Sequence, residues 1–95
     1  MQSNNLSLNN KLISQWQEEE ISTFIKNIGL SNYIHNFQNN NINGYDLCFL
    51  SNEEIINDLR VSKVHDRNTL LKAIREAILD QRKVNTNFSF FDTKL

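Results

Sequence analysis

Apolar residues recur along this chain at helical rather than strand spacing. Ile21, Phe24, Ile25 and Ile28 fall at i, i+3, i+4 and i+7, the signature of one buried helix face. Glu18, Glu19 and Glu20 precede them in the first turn, where the helix dipole favours anions. The spacing predicts a first helix from about Trp16, with the indole as a hydrophobic plug over it. Gly29 ends it in the left-handed conformation, and Leu30 closes the hydrophobic contact that accompanies such an end. Ser31 caps a second short helix reaching about Asn40, with Tyr33, Ile34 and Phe37 facing inward. The run Asn39–Asn41 breaks it.

Asn43 caps a third, very short helix that opens at Gly44 and buries Leu47 and Leu50. Ser51 begins a fourth. The sequence SNEE puts Glu54 three residues after Ser51, a capping box, and Ile55, Ile56 and Leu59 form the apolar side. Val61 and Val64 read as connector positions. From about Asp66, the series Arg67, Leu70, Leu71, Ile74, Ala77 and Ile78 marks one long helix to about residue 83. No segment carries a strand signal. The expected fold is all-α, a compact five-helix bundle of four short helices and one long C-terminal helix. Residues 1–13 read as a flexible Asn-rich tail whose Leu12 and Ile13 dock on the core, residues 14–83 as the domain, and residues 84–95 as a C-terminal tail with a cluster of Phe88, Phe90 and Phe91.

Composition sharpens this picture at the joints. The 95 residues hold two glycines and no proline, so tight turns are concentrated at Gly29 and Gly44. Gly29 supplies a positive φ, and Gly44 permits close backbone approach at the start of the smallest helix. A chain this short buries roughly 60% of its unfolded surface, enough for one core. Sixteen asparagines read as solvated segments and carry no function of their own here. The single cysteine, Cys48, excludes an internal disulfide framework and fits a reducing compartment. No secretory signal is visible and no apolar run approaches the roughly 18 residues of a membrane span. The expected location is therefore cytoplasmic, with the nucleus left open.

The pieces WQEEEISTFIKNIGL, SNYIHNF, INGYDL, LSNEEIINDLRV and KVHDRNTLLKAI stand in a specific order and spacing. Together they resemble a sterile alpha motif (SAM) domain over roughly residues 14–82. No single piece is specific; the succession is. Three positions depart from the family pattern. His65 stands where members usually carry Gly, Asp66 where they often carry His, and Gln17 where a Ser or Thr commonly caps the first helix. Gln17 is the poorer cap, and His65 adds bulk at the mouth of the last helix.

The resemblance implies a protein–protein interaction module, not an enzyme, with no cofactor and no metal. A frequent mode in such domains joins a mid-loop surface, around the second to fourth helices, to an end-helix surface at the start of the last. Charge along the chain suits that mode. Residues 16–59 carry seven carboxylates against Lys26 alone, while residues 60–83 carry seven basic side chains against three acidic ones. Net charge is −1, so nothing in bulk favours nucleic acid. The candidate acidic mid-loop surface is Asp46, Glu53, Glu54 and Asp58. The candidate end-helix surface is Lys63, His65, Arg67, Asn68 and Lys72. Tyr45, Val64 and Phe49 are candidates for the apolar contribution. The partner that the resemblance implies is a SAM domain, of a second copy or of another protein, and the expected outcome of head-to-tail contact is a homo-oligomer or an open polymer. The same charges also read as solvated outer faces. Two other functions stay open: an RNA-hairpin-binding module using the basic last helix, and a monomeric adaptor for a partner of another type. The end Thr93-Lys94-Leu95 resembles a PDZ-type carboxylate ligand.

Other chemistry finds little support. Ser62, His65 and Asp66 lie within five residues and no oxyanion-forming loop accompanies them. His35 and His65 are thirty residues apart without a second ligand pair, and no Gly-rich phosphate loop occurs. Cys48, between Leu47 and Phe49, reads as an inert thiol beside the core.

Overall fold

The computed structural model describes residues 11–85, and their side chains as far as residue 81. Five α-helices follow one another with short joints, and no strand occurs among the described residues. They are α1 (Glu18–Asn27), α2 (Ile34–Asn39), α3 (Gly44–Cys48), α4 (Asn52–Asn57) and α5 (Val64–Asn85). A 3-10 turn, Ile13–Gln15, precedes α1, and a second, Ser31–Tyr33, runs into α2. The fold class expected from the pattern is the one observed.

One core serves all five helices. Ile21, Phe24 and Ile25 of α1, Phe37 of α2, Leu47 of α3, Ile55 of α4 and Leu70 and Ile74 of α5 are all buried in it. Trp16 closes one end, buried, with its ring 5.1 Å from that of Phe24. Ile13 docks beside it, as expected, whereas Leu12 stays exposed because the turn directs only one of the two inward.

Gly44 fits against this plug. Its N–H donates to Trp16 O at 2.9 Å, and a Cβ there would lie 1.9 Å from Ile13 O and 2.7 Å from Trp16 N. The expected close approach is therefore backbone on backbone, which no side chain can yield to.

Left-handed residues end three helices. At Gly29 (φ 85°) the N–H groups of Gly29 and Leu30 return to Lys26 O and Ile25 O, both at 3.0 Å, satisfying two orphan carbonyls. Asn41 (φ 53°) ends α2 in the same way, with Ile42 N–H returning to Phe37 O at 3.2 Å. Arg60 (φ 59°) follows α4, and Val61 N–H reaches back to Ile55 O at 3.0 Å. The break at Asn39–Asn41 was legible; a left-handed arginine was not.

The capping pattern needs one amendment. Gln17 is indeed the N-cap of α1, and Glu20 serves it by accepting the Gln17 N–H at 2.7 Å. Glu20 also takes an ion pair from Lys11 Nζ at 2.8 Å. Two further readings shift. Val64, read as a connector, is the first residue of α5, two residues ahead of the expected start, and Ile56, read on the apolar side of α4, is exposed while Ile55 is fully buried.

Asparagines, read above as solvated filler, join α2 to α4. Asn36 Nδ2 donates to Leu59 O at 2.9 Å, and Asn40 Nδ2 to Asp58 O at 3.0 Å. These carbonyls belong to the C-terminal end of α4, which lacks intrahelical donors for them. Residues 1–10 of the N-terminal segment and the Phe88, Phe90 and Phe91 cluster lie outside the described residues, as does Thr93-Lys94-Leu95.

Candidate functional site

The short helices α3 and α4 exist because their caps are made locally. Asp46 N–H donates to Asn43 Oδ1 at 2.8 Å and Asn43 N–H to Asp46 Oδ2 at 3.2 Å. Ser51 and Glu54 make the reciprocal pair at 3.1 and 3.0 Å, the capping box expected from SNEE. Each box fixes a carboxylate at the surface with one oxygen still free for a partner.

Asp46 and Glu54 then face one groove of about 430 Å³, with Asp58 on the same wall. Its apolar lining comes from Ile42, Tyr45, Phe49, Leu50 and Leu59. Tyr45 and Phe49 are 62% and 68% exposed, far more than aromatic residues need to be, and pack against each other as a tilted pair with ring centroids 5.0 Å apart. Three of the four mid-loop candidates thus meet at one apolar site. Glu53 is exposed but does not line the groove.

The first turns of α5 form the second surface. Lys63, His65, Asn68 and Lys72 are all exposed, and Val64 among them is 60% exposed. Val64, Asn68 and Lys72 recur at four-residue spacing and share one side of the helix. Arg67 behaves differently. It is half-buried and its Nη1 donates to Ser62 O at 2.7 Å and Val61 O at 3.3 Å, so it braces the connector before α5. Asp66 accepts the Tyr33 hydroxyl at 2.5 Å. That bond and the burial around it push the Tyr33 hydroxyl above its usual range. The carboxylate is engaged with α2's lead-in turn and not with His65, which removes the orienting partner a hydrolase triad needs.

Cys48 is half-buried, and that burial pushes its thiol pKa up, the opposite of what activates a nucleophile. Among the described residues no three His, Cys, Asp or Glu side chains gather to hold a metal, and no helix is long and apolar enough to cross a membrane. The described surface presents an acidic groove with an aromatic pair, and a basic helix start with an exposed valine.

Sequence reasoning named these aromatic and valine positions but missed Asn36, Asn40 and Arg60, which shape the α2–α4 wall. The only prior sign of them was the asparagine run at a helix end.

Comparison with known proteins bears on what such surfaces are for. A family model described as the SAM domain (sterile alpha motif) matches residues 14–77. A WD repeat, SAM and U-box domain-containing protein 1 of Danio rerio is 34% identical over 65 residues, covering 68% of this chain and 13% of its own length. The protein of the same name from Homo sapiens is 33% identical over 61 residues, covering 64% of this chain and again 13% of its own. The chain therefore spans a small part of the curated relatives it matches. No solved structure matches at a significant level.

Proposed function

From the premise that this chain belongs to the sterile alpha motif family, whose members are in general protein-interaction modules, we propose that it associates head-to-tail with SAM domains, its own or another protein's. The acidic groove of one domain receives the start of α5 of the next. Asp46, Glu54 and Asp58 meet Lys63 and Lys72, and Val64 enters against Tyr45 and Phe49.

The observation that carries this reading is the exposed, tilted Tyr45–Phe49 pair in a groove that three carboxylates also line. Charge alone would be weak support, because exposed ion pairs contribute roughly 0.2–1 kcal/mol each and act mainly on specificity and on-rate. An aromatic pair held open at a groove supplies the apolar centre that such pairs then surround. A contact between two different patches on identical domains is heterologous. It closes into a ring only for a suitable rotation and otherwise grows as an open helix.

Sedimentation velocity over a concentration series, at low and high salt, tests this reading. Salt-weakened growth into a broad range of sizes is the expected result for a homotypic contact. Asp58→Lys and Lys63→Glu should each stop growth, and the two variants mixed should form a dimer through the one intact interface. Failure of the mixed variants to pair, with both folded, would remove self-association through these surfaces and leave the SAM domain of another protein as the partner.

A further inference from the structure

The groove does not end at Asp58. A second depression of about 440 Å³ adjoins it and shares Asn40 and Asp58 with it. Its character is different. Asn36, Asn39 and Asn57 line it, and Arg60 stands on its wall. The amides of Asn36 and Asn40 are already committed to Leu59 O and Asp58 O, so this wall is held rigidly by the fold.

Arg60 is the exception in an otherwise acidic surface. It is exposed, its backbone is set at φ 59°, and its guanidinium makes no hydrogen bond or ion pair with any described residue. The combined surface therefore presents, in succession, an aromatic pair, carboxylates and one free cation. A matching partner needs an apolar group, a cation and then a carboxylate or other acceptor.

The start of α5 in a second copy meets only part of that requirement. It has Val64, Lys63 and Lys72, whereas the one carboxylate among the described residues of that start, Asp66, is half-buried and turned toward Tyr33. A second copy would thus bring two exposed cations toward Arg60 and, among the described residues of that helix start, no exposed carboxylate to meet it. We infer that Arg60 sets partner choice at this groove, disfavouring a second copy of the chain and favouring a SAM-type surface that carries a carboxylate beside its cation. This rests on the head-to-tail reading of the groove. Discrimination of this kind comes from a repulsive element as much as from attractive ones.

The test uses the single-interface dimer as its probe. A Lys63→Glu variant supplies an intact groove, an Asp58→Lys variant supplies an intact α5 start, and their Kd is measured by titration. Arg60→Gln and Arg60→Glu are then placed in the groove supplier; neither alters the residue's need for a left-handed backbone in the way glycine would. Far-UV circular dichroism and Tm confirm that each variant is folded. The expected result is a graded tightening, with the Glu variant about two- to tenfold tighter than the parent and the Gln variant between. The gain should shrink at high salt. Formation of the dimer only after Arg60 is replaced would support the inference most strongly. An unchanged or weaker Kd in a dimer that does form would overturn it while leaving the head-to-tail reading in place. Absence of a dimer in every folded combination would overturn both the inference and the homotypic form of the head-to-tail reading.

Discussion

Tyr33, at the end of the turn that leads into α2, donates its hydroxyl to Asp66 Oδ2 in the first turn of α5, thirty-three residues away. This bond ties the start of α5, beside Lys63, Val64 and His65, to the turn that leads into α2. A hydrogen bond to a charged acceptor contributes roughly 1.5–3 kcal/mol. Tyr33→Phe should therefore lower stability by about that amount in urea titration. The effect has a defined pH dependence. The folded pKa of Tyr33 is raised, so the contribution is fully present below the ordinary tyrosine value of about 10 and is lost as pH rises through the folded value. The gap between wild type and Tyr33→Phe should be constant at neutral pH and narrow above about pH 10.

Glu20 titrates in the opposite sense. The Lys11 ammonium, then the Gln17 N–H, hold its carboxyl below the usual value of 4.5. A lowered carboxylate stabilises the fold above its unfolded pKa and loses that contribution as pH falls through the folded one. Glu20→Gln should cost about 0.5–1 kcal/mol at pH 7, by thermal denaturation. Below the usual carboxylate range the two proteins should converge.

The two glycines should fail for different reasons. Gly44→Ala forces a Cβ to 1.9 Å from Ile13 O, with backbone on both sides, so the expected loss is about 3 kcal/mol or more. Gly29→Ala meets nothing within 4 Å but must hold φ 85°, which costs about 1–2 kcal/mol. Chemical denaturation of the two variants side by side should give that order; equal losses would contradict the packing described for Gly44.

Replacing a strained arginine should help. Arg60→Gly removes the left-handed penalty at φ 59°, offset by the greater freedom of glycine in the unfolded chain. A net gain of about 0.5–1 kcal/mol is expected in urea midpoint, with the slope unchanged. Asn41→Gly should gain less, because asparagine tolerates the left-handed region well.

Tyr45→Ala and Phe49→Ser should separate binding from folding. Both side chains are largely exposed, so stability should stay within about 0.5 kcal/mol of wild type by thermal scan. Association of the Lys63→Glu and Asp58→Lys pair should fall by about thirtyfold, the loss of roughly 2 kcal/mol typical of a buried aromatic anchor. Loss of fold in either variant would show that these rings support the core rather than face a partner.

Much that is local to a few residues was determined by the sequence alone. The helix faces, the Gly29 stop and the SNEE capping box each depend on neighbours within about one turn; Gly44 was singled out by residue type, although the backbone it meets, at Ile13 and Trp16, lies far away along the chain. The family resemblance was legible for the same reason, since it is a succession of such local signals. Charge separation along the chain gave the two candidate surfaces, but only as lists of residues. The tertiary structure decided which of them share a wall. It joined Asp46, Glu54 and Asp58 around Tyr45 and Phe49, and left Glu53 outside. It turned Arg67 back onto its own connector and engaged Asp66 with Tyr33. It also made Asn36 and Asn40 the support of α4 and set Arg60 free at the groove's edge. These contacts join residues that no helical period relates. They follow from the angles at which short helices meet, and those angles are set by the whole core.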